Sequence, residues 1–445
     1  MRVLTVVLAL VLGSAWFFAR TAAAGAAPWL FVTDIHLEAE GIHKKKSPSR
    51  FGGDTDAALF ESVIREMQRV DPHPPVVVVN GDLLAHSITR RTATPTAVRI
   101  ARRLNRAFPQ AQFVLALGNE DSACGDYALA PDSAFLRALG AAWEPLINRH
   151  GAAPDFRRTF VHDGFYTARL PVAGLRAIVV DNVFWSPRYH AQCGSAGDVV
   201  TKSLTELETA LKANHERAWV LFHIPPGIDT FSTALLARRL AIVPFMTPDL
   251  RDRFVAALGY SPGHVALAVA GHTHKFAYRI VNAGGPQPVP MLLVPSVSPI
   301  FGNAPSFLTA NVGADGTLRD IDEISFLNGA WSEIGGMRSL GVDAFTGPEL
   351  LKLQGRLARE PGLRATFARL YEGGAPPEIN DRNWRIYWCA ATAFATAPFR
   401  ECTRSGGFGV ITRRGIEVLL IPAVAIALLA GAFVSWRRRR RASRL

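Results

Sequence analysis

At 445 residues, 49% of them hydrophobic, the chain can bury one large core plus an appendage, which excludes disorder throughout. The formal charge of +12 invites a nucleic-acid reading, yet Arg2, Arg20, Arg437 to Arg441 and Arg444 place eight of those charges at the two ends. The centre keeps about +4, so no specific nucleic-acid binding is expected.

Residues 1 to 24 run from Arg2 through an apolar stretch to Ala22-Ala23-Ala24, the order of a secretory signal peptide, with an uncleaved signal anchor as the alternative. Residues 25 to 330 form the main domain and alternate apolar β-like runs with amphipathic segments. The first run, 29 to 33, is followed by Asp34 and His36. His43 and Lys44 to Lys46 come next, a solvated loop or an attractor of polyanions. Leu59, Phe60, Val63, Ile64, Met67 and Val70 mark a helix opened by Asp54 or Thr55. The run 76 to 80 leads into Gly81-Asp82 and His86, and 113 to 117 into Gly118-Asn119-Glu120-Asp121.

After the run 177 to 181, Asn182, Phe184 and Trp185 line the substrate cleft, with the core as the alternative for Phe184 and Trp185. A helix covering Leu204 to Leu211 precedes the run 218 to 222, which ends on His223 and Pro225-Pro226-Gly227. The run 265 to 270 leads into Gly271-His272-Thr273-His274, and 277 to 281, 290 to 294 and 307 to 311 follow without helices between them. That mixture implies two packed sheets with outer helices rather than one parallel sheet.

A break near Gly329 to Gly341 precedes a helical region, 331 to 414, in which Thr346 and Pro348 open a helix and Trp384, Tyr387 and Trp388 supply core aromatics. Residues 415 to 436 are expected to form a transmembrane helix, since Val418 to Trp436 is uncharged and near the ~20 residues needed to cross a bilayer. The Arg-rich tail, 437 to 445, puts the C-terminus in the cytoplasm and the main domain outside it. Cys124, Cys193, Cys389 and Cys402 suit an oxidising compartment. Three pairings are open; 389 with 402 and 124 with 193 is favoured, because the first pair flanks one helical hairpin and the second lies in loops near the site.

Asp34, His36, Asp82, Asn119, His223, His272 and His274 are all of metal-ligand type, and six of the seven directly follow an apolar run. Side chains leaving strand ends converge at one edge of a sheet, where open α/β folds carry their sites. A carboxylate such as Asp82 can bridge two cations, and the neutral amide of Asn119 limits the negative charge that a phosphate must approach. Hydrolysis at a dinuclear metal centre is therefore the leading reading.

The motif order D-x-H, G-D, G-N, H, G-H-x-H resembles the calcineurin-like metallophosphoesterases. Gly81-Asp82-Leu83-Leu84-Ala85-His86, His223-Ile224-Pro225-Pro226-Gly227 and Gly302-Asn303-Ala304-Pro305-Ser306-Phe307 are similar to motifs of the acid sphingomyelinase-like branch. The resemblance implies an α/β fold, a four-layer α-β-β-α metallophosphoesterase sandwich, here with the C-terminal helical extension and one transmembrane helix. It also implies two divalent metal ions, zinc in this branch. Asp34, His36 and His274 would hold one, Asn119, His223 and His272 the other, and Asp82 would bridge them.

The implied activity is attack of a metal-bound hydroxide on a phosphate ester of a lipid, nucleotide or polyphosphate. His86 would protonate the leaving group, and Asp121 would orient a neighbouring ligand. Glu120 departs from the family, which has His there; an ionised Glu120 cannot do that job, so either His86 acts alone or Glu120 turns away. Endopolyphosphatase-like relatives also lack this His. A membrane-anchored metal-bearing binding protein without turnover is the competing class.

Overall fold

The structure is a computed structural model that describes residues 27–40, 52–190, 198–236, 241–259, 264–282 and 284–404. Twelve strands build two six-stranded sheets. They are β1 (Trp29–Val32), β2 (Val76–Asn80), β3 (Gln112–Ala116), β4 (Tyr166–Arg169), β5 (Leu175–Val179), β6 (Arg217–Leu221), β7 (Val265–Ala270), β8 (Ala277–Val281), β9 (Val289–Leu293), β10 (Ser306–Val312), β11 (Leu318–Leu327) and β12 (Ala330–Gly336). The first sheet runs β12-β11-β10-β1-β2-β3 and the second β4-β5-β6-β7-β9-β8.

Each sheet has a parallel centre. Val78 of β2 sits between Phe31 of β1 and Val114 of β3, and β5, β6, β7 and β9 run parallel in the second sheet. Parallel neighbours need crossovers, supplied by helices Ala57–Val70, Arg90–Ala107, Val199–Ala213 and Pro248–Gly259. With helices outside and a second sheet inside, these strands are buried on both faces, which is why they read as unbroken apolar runs such as Val76 to Val79.

The inner faces meet directly. Trp29 and Trp219 have ring centroids 5.1 Å apart, and the Tyr166 hydroxyl donates to Leu115 O at 2.9 Å across the layer. Because β1, β2, β3, β6 and β7 all point the same way within this pairing, the segments following them reach one shared edge. Asn80 Nδ2 donates to Phe222 O at 2.7 Å there, joining the two sheets beside the site.

The helical region packs against edge strand β8, where the Tyr278 hydroxyl donates to Gln354 Oε1 at 2.6 Å. It has its own small core of Ile228, Tyr371, Ile386, Tyr387, Cys389 and Phe399, closed by the Cys389–Cys402 disulfide. Cys124 is also disulfide-bonded, and Cys193 lies outside the described residues.

Several expectations need adjustment. The first helix is capped by Asp56, whose carboxylate accepts from Leu59 N, and not by Asp54 or Thr55. Thr346 does cap helix Gly347–Leu357, with Pro348 in its first turn. Strands β4, β11 and β12 were not anticipated, and the β11–β12 hairpin carries the first sheet across position 330 to Gly336. Phe184 and Trp185 are fully buried, so they are core and line no cleft. No helix among the described residues is long and apolar enough to cross a membrane. The expected leader at 1 to 24, the Lys44 to Lys46 run and the span at 415 to 436 lie outside those residues.

Candidate metal centre and its cleft

The backbone at the shared edge is bent hard. Asp34, His36, Asp82, His272 and His274 all have left-handed conformations, with φ of 48°, 45°, 51°, 67° and 60°. Non-glycine residues avoid this region at a cost of ~1–3 kcal/mol each, and such strain concentrates where a site requires it. Asp34 and His36 lie beyond β1, which has ended at Val32, and left-handed turns rather than strand alternation aim both inward. Gly118 is forced by crowding, because a Cβ there would overlap the Asp82 carboxylate.

Two groups of donors result. Asp34, His36 and His274 form one, with His274 Nε2 3.2 Å from both Asp34 Oδ1 and His36 Nε2. Asp82, His223 and His272 form the other, with His223 Nε2 3.0 Å from Asp82 Oδ2. Asp82 Oδ2 also lies 3.6 Å from His36 Nε2, so it stands between the groups. Asn119 lines the same cleft and donates from Nδ2 to Asp126 Oδ1 at 2.8 Å, turning its Oδ1 the other way.

The imidazoles are held from behind. His36 Nδ1 donates to Leu84 O at 3.1 Å and His223 Nδ1 to Asn80 O at 2.8 Å. A carbonyl only accepts, so Nδ1 must carry the proton in each case and Nε2 faces the cluster. Asn182 pins the loop after His223 by a two-way contact, Nδ2 to Ile224 O at 2.6 Å and Ile224 N to Oδ1 at 3.0 Å. Arg279 grips the next turn through Pro226 O and Ile228 O at 2.9 and 2.7 Å. Asp121 touches no ligand candidate: it accepts from Leu83 N, Leu84 N and Gly118 N, fixing the loops that carry Asp82 and Asn119.

The electrostatics fit a cation-binding cluster. Burial opposes charge on His36 and His223, yet Asp34 and Asp82 raise them to about 9 and about 10. Burial would raise Asp34, but His274 and His223 hold it well below the ordinary carboxylate range. His272 drops to about 3, through burial and then the charge of His223. Asp34 Oδ1, Asn119 Oδ1 and His223 Nε2 are buried without hydrogen-bond partners. Buried polar atoms are normally satisfied. Orphaned oxygens and nitrogens converging on one spot, with a mixed carboxylate, amide and imidazole set, are what a borderline divalent ion would complete.

His86 stacks on His36 with centroids 4.6 Å apart. Its Nδ1 is 2.9 Å from Asp54 Oδ1, and its Nε2 is 3.7 Å from Glu120 Oε1. Glu120 does not turn away. It lines the cleft, donates its main-chain N–H to Asp82 Oδ1 at 2.8 Å, and is raised to about 9 by burial and by Asp82.

A model of the calcineurin-like phosphoesterases matches residues 27–276, more than half of the chain and all seven donors. The chain belongs to the calcineurin-like phosphoesterase family. Sphingomyelinase phosphodiesterase D of Dictyostelium discoideum is 24% identical, over 61% of this chain and 59% of its own length. Acid sphingomyelinase-like phosphodiesterase 3b of Mus musculus is 21% identical, over 55% and 53%. The cyclic GMP-AMP phosphodiesterase of Bos taurus is 26% identical, over 52% and 47%. The chain thus spans about half the length of the curated relatives it matches. Sequence reasoning missed Arg188, Asp229, Phe231, Phe301 and Tyr371, which line this cleft, and Asp54 and Tyr127, which reach its His86 and His272 from outside. Tyr127 places its hydroxyl 3.2 Å from His272 Nε2.

Proposed function

We propose that the chain is a metal-dependent phosphodiesterase acting outside the cytoplasm, with two divalent ions, zinc first among them, in the cluster. The observation that carries this is the pair of donor groups meeting at Asp82 with His86 stacked beside them. Asp34, His36 and His274 would hold one ion and Asn119, His223 and His272 the other, with Asp82 between. Ions held there would neutralise phosphoryl oxygens and make water nucleophilic at neutral pH.

The chain's own residues do the rest. Asp54 fixes the His86 ring through Nδ1, leaving Nε2 toward the cleft to protonate the departing oxygen. Asp121 and Asn182 hold the loops bearing Asp82, Asn119 and His223, so the donors need not be ordered when substrate arrives. The relatives named for sphingomyelinase and cyclic GMP-AMP phosphodiesterase support a diester rather than a monoester. The leader-like order of residues 1 to 24, the Arg-rich run at 437 to 441 and the Cys389–Cys402 disulfide support an extracytoplasmic domain, with the uncharged stretch 418 to 436 as its tether.

The test is hydrolysis of bis-p-nitrophenyl phosphate by the full chain. Chelator-sensitive release that zinc restores, and that Asp82→Asn abolishes, is expected. Absence of release, or equal release from Asp82→Asn, points instead to a metal-bearing binding protein.

A further inference from the structure

The donors of the cluster are not all held in the same way. His36 and His223 rest on main-chain carbonyls, Leu84 O and Asn80 O. Asn119 and His272 rest on side chains instead. Asn119 Nδ2 donates to Asp126 Oδ1 at 2.8 Å, and His272 Nε2 lies 3.2 Å from the Tyr127 hydroxyl. Such a support orients a ligand only when it is itself held in place.

One residue reaches both supports. The Arg188 guanidinium is 3.2 Å from Asp126 Oδ2, and its Cζ stands 4.4 Å from the centroid of the Tyr127 ring. A planar, delocalised cation can pair with a carboxylate and cover an aromatic face at once, which a lysine ammonium does less well. The turn that carries Arg188 is stitched in place. Arg188 N donates to Ser186 Oγ at 3.2 Å, the Tyr189 hydroxyl to Leu129 O at 3.0 Å, and His190 N to Tyr127 O at 3.1 Å. Tyr127 has φ of 53°, a conformation that a non-glycine residue keeps only where its surroundings enforce it.

We infer that Arg188 is a positioning residue for the donor group of Asn119, His223 and His272: through Asp126 it sets the Asn119 amide, and through the Tyr127 ring it sets the His272 imidazole. This role presupposes the two-ion phosphodiesterase reading. With Nε2 engaged by Tyr127, Nδ1 is the atom that His272 offers to an ion. Asn119, donating from Nδ2, offers Oδ1, which is buried without a partner.

Two rival roles make different predictions. Arg188 is the only Lys or Arg lining the cleft among the described residues, which suits it to a direct contact with a phosphoryl oxygen. Its partners argue against that use, because Asp126 and the Tyr127 ring already engage the guanidinium and both lead on to donors. A purely stabilising ion pair is the other rival. The Arg188 and Asp126 side chains are 67% and 38% exposed, and exposed pairs contribute little to folding.

The test uses the full chain and reads zinc affinity by competition with a chromophoric chelator in wild type, Arg188→Met, Arg188→Lys and Tyr127→Phe. Arg188→Met is also made in His274→Asn, which keeps the second donor group, and in His223→Asn, which keeps the first. The Tm of the zinc-free protein, and KM and kcat for bis-p-nitrophenyl phosphate, are measured alongside. Arg188→Met is expected to weaken one of the two ions by about 10- to 100-fold, and the ion of His274→Asn by the same factor. It leaves the ion of His223→Asn and the zinc-free Tm unchanged. Arg188→Lys, which keeps the charge and loses the plane, recovers only part of the affinity. Combining Arg188→Met with Tyr127→Phe costs less than the product of the separate losses, since the two lie on one route.

Unchanged zinc affinity in Arg188→Met overturns the inference, and so does an equal loss at both ions together with a lower zinc-free Tm. A raised KM with both ions held as in wild type also overturns it and assigns Arg188 to the substrate. Zinc affinity that depends on Arg188 without chelator-sensitive turnover keeps the positioning role and removes the phosphodiesterase reading, so the two failures are distinguishable.

Discussion

Asp54 holds His86 at two points: its Oδ1 is 2.9 Å from His86 Nδ1, and its Oδ2 accepts the His86 main-chain N–H at 3.0 Å. The double contact fixes both ring orientation and tautomer, the arrangement by which a carboxylate prepares an imidazole for proton transfer.

Replacing Asp54 by Asn should therefore lower kcat for a diester with an alkyl leaving group by about 10- to 100-fold, the usual cost of losing the group that orients an imidazole. His86→Ala should do at least as much. On a p-nitrophenyl leaving group, which needs little protonation, both losses should shrink. Equal losses on the two substrates would assign Asp54 and His86 to structure instead.

Asp54 also marks where sequence reading stopped. The seven donors were legible because six of them directly follow an apolar run, and the runs are strands that the double-sheet core obliges to be apolar on both faces. Asp54 lies 32 residues from His86 in a loop without periodicity, so nothing in the chain pairs them. Strand β11, second from the edge of the first sheet, was missed because Asp320, Asp322 and Glu323 made it look polar. Phe231 and Phe301 are exposed aromatics in a chain full of buried ones, and burial is not written at a single position. Asn182, expected to line the cleft, is fully buried, and its amide serves Ile224 rather than a substrate.

The two donor groups predict separable metal loss. His274 belongs only to the group with Asp34 and His36, so His274→Asn should reduce bound zinc from about two ions per chain to about one. Asp82 stands between the groups, and Asp82→Asn should weaken both. Elemental analysis after dialysis reads this directly. Full retention of zinc by both variants would refute the assignment.

Lys275 and Glu372 predict a stability effect at the junction of the sheets and the helical region. Their Nζ and Oε2 are 2.5 Å apart, and both side chains are buried. Lys275→Met or Glu372→Leu alone leaves an unpaired buried charge and should cost about 3–5 kcal/mol. The double substitution should recover most of that loss. Denaturant titration of the four proteins gives the coupling, and additive losses would mean that the pair is not coupled in solution.

Glu323 predicts a pH dependence away from the cleft. It is fully buried in β11, and burial holds its carboxyl well above the ordinary 4.5 of a glutamate, while Ser306 and the charge of Arg369 pull the other way. A folded pKa above the unfolded one means that the folded state keeps a proton that the unfolded state releases. The stability contributed by this group is complete below pH ~4.5 and is lost as pH rises from there toward the folded pKa, at up to about 1.4 kcal/mol per pH unit. Glu323→Gln cannot ionise and so removes this loss. Relative to wild type, its Tm should be similar near pH 4 and higher at pH 7, with the gap widening between the two. A gap that stays constant with pH would mean that Glu323 is ionised in the folded chain and has found a counter-charge within the first sheet.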